Sequence, residues 1–171
     1  FTQSRLDKAA THWQKKPVEG ARRLFLSDFT HEYFGNFFVF DPVLGVLEKP
    51  PASDESLAII LACAPWQLQR RRPGAPEATA LRVDERDPAY RIILNPVTDD
   101  SASVVGITGM ILDEDWFRTH LLPNAIETAL AKLFPDVARE ELVVTVRNAA
   151  QDVVLATRQG RGEEEDAVTR S

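Results

Sequence analysis

The feature that most constrains this chain is the run at residues 103–112, which carries Val104, Val105, Ile107 and Ile111 and no charged side chain. A run this apolar, β-branched and short of a bilayer span is a strand with at least one buried face, and the fold must supply partners for it. Alternation puts Val104, Gly106, Thr108, Met110 and Leu112 on one face and Val105, Ile107, Gly109 and Ile111 on the other. The neighbouring run Tyr90-Arg91-Ile92-Ile93-Leu94 is a second strand, expected to end at Asn95-Pro96. Upstream, Leu24-Phe25-Leu26-Ser27-Asp28-Phe29 and Asn36-Phe37-Phe38-Val39-Phe40 flank a short polar connector and read as a hairpin, with a helix over 21–29 as the competing reading. Val46-Leu47 extends it irregularly, and Leu81-Arg82-Val83 offers a short strand before a turn at 85–88.

The helical signals surround these strands. Residues 2–16 place Leu6, Ala9, Ala10 and Trp13 on one stripe, closed by Pro17 and Gly20. That stripe faces either its own sheet or a second copy of the chain. Ser53-Asp54-Glu55-Ser56 supplies caps and first-turn acids for a helix through Leu57-Ala58-Ile59-Ile60-Leu61, which Pro65 should interrupt or kink and Arg70-Arg71-Arg72 should end. The triple arginine reads as a cationic helix end or as an anion site. Asp113-Glu114-Asp115 opens a further helix carrying Trp116, Phe117, Leu121, Leu122, Ile126, Leu130 and Leu133, with Pro123 as a kink or second start. A second hairpin pairs 142–146 with 153–156, and residues 158–171 form an acidic tail. The expected division is a main domain over 1–135, a hairpin over 136–157 and the tail.

Composition narrows the function classes. Twenty Lys+Arg against 26 Asp+Glu give a net charge of −6, which argues against nucleic-acid binding. One cysteine excludes an intrachain disulfide framework and a cysteine-rich zinc module. No apolar run reaches the roughly 20 residues of a membrane span. The only methionine is Met110, so the chain reads as a piece of a longer protein.

Catalytic signals are weak. His12, His31 and His120 have no metal-like spacing, Cys63 sits in an apolar run, and neither a nucleophile elbow nor a phosphate loop is present. The acidic triplet caps a helix or, less economically, holds a divalent cation. The expectation is a non-catalytic chain with no metal and no cofactor. For a ligand, a pocket lined by Tyr90, Thr108 and Met110 with Phe38 and Trp66 as aromatic walls is possible if the strand faces coincide; otherwise these five are ordinary core.

The chain up to Leu112 resembles the PAS/Cache-like sensor domains, in which an N-terminal helix packs behind an antiparallel sheet. The stretch Val104-Val105-Gly106-Ile107-Thr108-Gly109-Met110-Ile111-Leu112-Asp113-Glu114-Asp115-Trp116-Phe117, followed by Leu121-Leu122-Pro123, is similar to a segment of bacterial sensor histidine kinases. Residues 144–154 are similar to the strand-turn-strand opening of a PAS-like repeat, with Asn148 and Gln151 where that turn more often has Asp and Gly. The resemblance implies an α+β fold: an antiparallel sheet backed by the N-terminal helix, a following helix and a second β-hairpin. It also implies the extracytoplasmic, ligand-sensing part of a membrane-bound sensor kinase. Membrane attachment would lie outside this chain, with an unknown small-molecule ligand and a homodimer through the first helix. The competing class is an α+β interaction domain with no small-molecule site.

Overall fold

The computed structural model describes residues 2–30, 35–70, 80–87, 89–135, 143–147, 151 and 153–156. The fold is α+β, and the uncharged run is its middle. Strand β6 (Val104–Leu112) lies between β1 (Ala21–Asp28) and β5 (Ile92–Thr98) in a six-stranded sheet. The sheet is completed by β2 (Phe37–Asp41), β3 (Val46–Glu48) and β4 (Arg82–Asp84), in the order β3-β2-β1-β6-β5-β4, and every pairing is antiparallel. Two neighbours press β6 closely at Gly109, which pairs with Phe25 on one side and Leu94 on the other. A Cβ there would overlap the Phe25 ring and come within 2.8 Å of the Ile93 carbonyl oxygen. The glycine is the slot that lets Phe25 lie across the sheet with no exposed surface.

Alternation gives the sheet two apolar faces, and one helix covers each. Helix α2 (Asp54–Arg70) lays Ala58, Ile59, Ala62, Cys63 and Trp66 over Phe25, Phe37, Val39, Ile92, Leu94, Ile107 and Ile111. Helix α1 (Gln3–Lys15) places Leu6 and Ala10 on Leu26, Phe40 and Leu47 of the opposite face, flanked by Trp13, Leu24 and Phe38. Trp13 meets Phe40 edge-on, ring centroids 5.8 Å apart. The α1 stripe therefore goes to its own sheet.

Two local expectations change and a third narrows. Val46-Leu47 is a separate strand, because the turn at 42–45 folds back: Asp41 Oδ1 accepts the amides of Val43 and Leu44 at 2.7 and 2.9 Å, and Gly45 closes the turn at φ +67°. β5 continues through Pro96 to Thr98, since β4 pairs with Ile92–Leu94 and, among the described residues, no strand beyond it needs the missing amide. Helix α2, capped by Ser53 Oγ accepting the Ser56 amide at 3.1 Å, passes through Pro65 without ending. Proline cannot donate to the carbonyl four residues back, here Leu61, and Arg86 Nη2 donates to that oxygen instead, at 2.7 Å. Arg70 is the last helical residue; Arg71 and Arg72 lie outside the described residues.

The chain divides into two compact units, Phe1–Glu114 and Asp115–Ser171. The short helix α3 (Glu114–Trp116) carries the division. In the second unit a π-helical turn, Phe117–Leu121, leads into α4 (Leu122–Leu133). The wide turn ahead of Pro123 gives the proline ring room that a regular α-turn denies it. Strands β7 (Thr145–Arg147) and β8 (Val153–Ala156) form an antiparallel pair, Thr145 opposite Ala156. The tail at 158–171 lies outside the described residues.

Candidate functional site

The α2 face of the first unit has an opening where β4 turns into β5. Asp84, the last residue of β4, accepts the Arg86 amide and Nε, each at 3.0 Å. The same guanidinium reaches across to Leu61 O on α2. One side chain thus ties the turn to the carbonyl that Pro65 leaves without an amide. Beyond it, Asp87 Oδ1 accepts the Ala89 amide at 2.9 Å, and the Tyr90 amide donates to Asp87 O at 3.0 Å. These bonds fix the approach of Tyr90, which packs half-buried on the α2-side core. The Arg22 guanidinium lies 5.4 Å from the Tyr90 ring centroid and, with Arg23, binds Glu55 in the first turn of α2 at 3.2 Å.

Between these anchors lies a cavity of about 460 Å³. Its apolar wall is Leu57, Ala58, Leu61, Ala62 and Ile92, and its polar side is Asp54, Asp84, Arg86 and Asp87, with Tyr90 and Ala89 at the seam. That size and mixture suit a small organic molecule with an apolar body and a polar end. The Arg86 guanidinium bonded to Asp84 holds that carboxyl below the usual aspartate range, against the opposing effect of burial. Asp84 is therefore an ionised structural partner of Arg86.

Of the five sequence-derived candidates, only Tyr90 lines this cavity. Trp66 shares the same face of the sheet but is buried further along α2, where the Arg82 guanidinium covers its ring at 4.8 Å. Phe38, Thr108 and Met110 belong to the opposite, α1-side face. Directly paired residues share a face: Phe38 and Thr108 both pair with Leu26, while Met110 pairs with Leu24 and Ile93. The pairing of Ile92 with Ile111 commits Tyr90 and Thr108 to opposite sides. A single pocket of all five is corrected to a cavity that keeps Tyr90 alone. The residues that sequence reading missed are chiefly Arg86 and Asp87, in the turn read at 85–88, and Asp84, at the end of the short strand before it. Their signal was Pro65, because a proline inside a helix needs a donor from elsewhere.

The other chemical candidates stand apart from this opening. Burial pushes the Cys63 thiol up to about 12. His12 and His120 are exposed, on different elements, and His120 stacks on Trp116; His31 lies outside the described residues. Within the acidic triplet, Glu114 binds Arg91 through both oxygens at 2.7 and 2.8 Å. Among the described residues, no three His, Cys, Asp or Glu side chains are grouped to hold a metal, and no helix is long and apolar enough to cross a membrane. No known family model matches this chain, and no curated protein matches it in sequence.

Proposed function

We propose that this chain is the extracytoplasmic sensing domain of a membrane-bound, two-component sensor histidine kinase, non-catalytic in itself, with a small-molecule ligand seated in the α2 cavity. The observation that carries the reading is the cavity of about 460 Å³ on one face of an antiparallel platform whose other face holds the N-terminal helix. The resemblance of residues 104–123 to sensor-kinase segments supports the kinase assignment and the PAS/Cache-like class.

The signalling step follows from differential affinity. A ligand lodged between α2 and the β4–β5 turn favours one α2–sheet packing over another, and a few kcal/mol suffices to invert a two-state population. Arg86 is placed to report occupancy, since it lines the cavity while bonded to both Asp84 and Leu61 O.

A thermal-shift screen over amines, amino acids and small organic acids tests the reading. A ligand present at 100 times its Kd should raise stability by about 2.7 kcal/mol and the melting temperature by about 10 °C for a unit of this size. Tyr90→Ala should abolish the response. Absence of any shift across the panel returns the chain to the interaction-domain class. The kinase assignment fails if the full coding frame places no membrane-spanning segment or kinase module beside this domain.

A further inference from the structure

The α2 cavity is uneven both in exposure and in charge. Its floor, Ala58, Ala62 and Ile92, is buried, whereas Leu57 is 54% exposed and Leu61 53%. The two leucines stand one turn apart on α2, so the cavity wall carries apolar side chains left open to water. An occupant with an apolar body would cover them.

The polar side holds three carboxylates and one guanidinium. That guanidinium is engaged within the protein: Arg86 Nε donates to both Asp84 oxygens at 3.0 Å, and Nη2 donates to Asp84 and to Leu61 O. Asp84 and Arg86 therefore cancel each other. Two carboxylates remain. Among the described residues the Asp54 carboxylate has no hydrogen bond or ion pair, and Asp87 uses Oδ1 alone, to accept the Ala89 amide. Arg22 stands over the Tyr90 ring but is not part of the lining, and with Arg23 it is held by Glu55. An anionic head group would compete with Asp84 for Arg86 and meet Asp54 and Asp87 as like charges. A protonated amine meets both as partners.

We propose that the ligand of the α2 cavity is an organic cation, a protonated amine carried on an apolar body. The proposal rests on the reading of this cavity as the sensing site, and does not depend on the kinase assignment. The ammonium lies toward Asp54 and Asp87, and the body lies along Leu57, Leu61 and Ile92.

Three probes of matched shape test it: 2-phenylethylammonium, 2-phenylethanol and 3-phenylpropanoate, titrated calorimetrically into the 171-residue chain at pH 7. The ammonium is expected to bind about 25-fold more tightly than the alcohol, roughly five-fold for each carboxylate, and the propanoate most weakly. Raising salt should narrow these gaps. Asp54→Asn and Asp87→Asn should each weaken the ammonium about five-fold and leave the alcohol unchanged, a contrast that a merely structural role would not produce. Both positions are exposed, and asparagine keeps the Oδ1 that accepts the Ala89 amide, so an unchanged melting temperature verifies folding. Glu127→Gln, in the other unit, should leave all three affinities as they are. Equal or tighter binding of the alcohol or the propanoate, lost in Tyr90→Ala, overturns the cation assignment and leaves the sensing cavity standing. Ammonium binding indifferent to both asparagine variants overturns the assignment as well. Failure of all three probes to bind overturns the assignment and the cavity reading together.

Discussion

Replacing Arg86 by methionine tests whether a distant guanidinium keeps α2 continuous through its proline. Methionine preserves much of the aliphatic bulk and removes every donor. Two interactions are lost, the pair with Asp84 and the bond to Leu61 O. Arg86 is 61% exposed, so the ion pair itself contributes no more than about 0.5–1 kcal/mol. The Leu61 carbonyl has no helical donor because residue 65 is proline, and losing a charge-assisted bond there costs about 1–1.5 kcal/mol, the low end for a site that water can reach. The expected total is about 2 kcal/mol, read as a lower urea midpoint by far-UV circular dichroism at unchanged slope. The decisive step is the same substitution in a Pro65→Ala background, where residue 65 supplies the missing amide to Leu61. Pro65→Ala alone should stabilise the chain, since an interior proline costs about 3 kcal/mol relative to alanine before compensation. Arg86→Met in that background should cost only the ion pair, leaving a coupling of about 1 kcal/mol. If the two substitutions add without coupling, the guanidinium does not substitute for the proline's absent amide and the reasoning is refuted.

Three further outcomes follow from the same structure. Because the folded pKa of Asp84 is depressed by Arg86, the stability it contributes is complete above the unfolded aspartate value of about 3.9 and is lost as pH falls through the lower folded value; Asp84→Asn should flatten that acid-side decline in urea titrations between about pH 5 and 2. Gly109→Ala should destabilise by about 1–3 kcal/mol, since its Cβ meets Phe25 and the Ile93 carbonyl, and Phe25→Leu in the same chain should recover part of the loss. Cys63 should resist a thiol reagent at pH 8 in the folded chain and react at the rate of unfolding, with rapid labelling under native conditions as the contrary result.

Much of the platform was legible because its signals are local. The uncharged alternation of 104–112, the aromatic hairpin at 24–40 and the 6-10-13 stripe each name an element and its buried side without knowledge of the rest. The site was less legible because it depends on register. Sequence puts Tyr90 with Ile92 and Thr108 with Met110, but whether those sets share a face turns on Ile92 pairing with Ile111 rather than with Met110. Prolines misled for a related reason. Pro65 and Pro96 are breakers by local rules, and each is tolerated through something distant: a guanidinium from residue 86 in one case, and the short reach of β4 in the other.

The seam between β1 and β6 gives the first unit a mechanical direction. Ala21 opposes Leu112, and the Asp113 amide donates to Gly20 O at 2.8 Å, so the polypeptide enters and leaves the sheet at adjacent points of one edge of the seam. Tension applied between residues 20 and 113 would load the rungs of that ladder one after another, as in a zipper, and part them at low force. A lateral shear along the strands would have to break the rungs together. Pulling by these two ends therefore peels Phe25 from its glycine slot early, exposing the middle of the sheet before either helix has been drawn away.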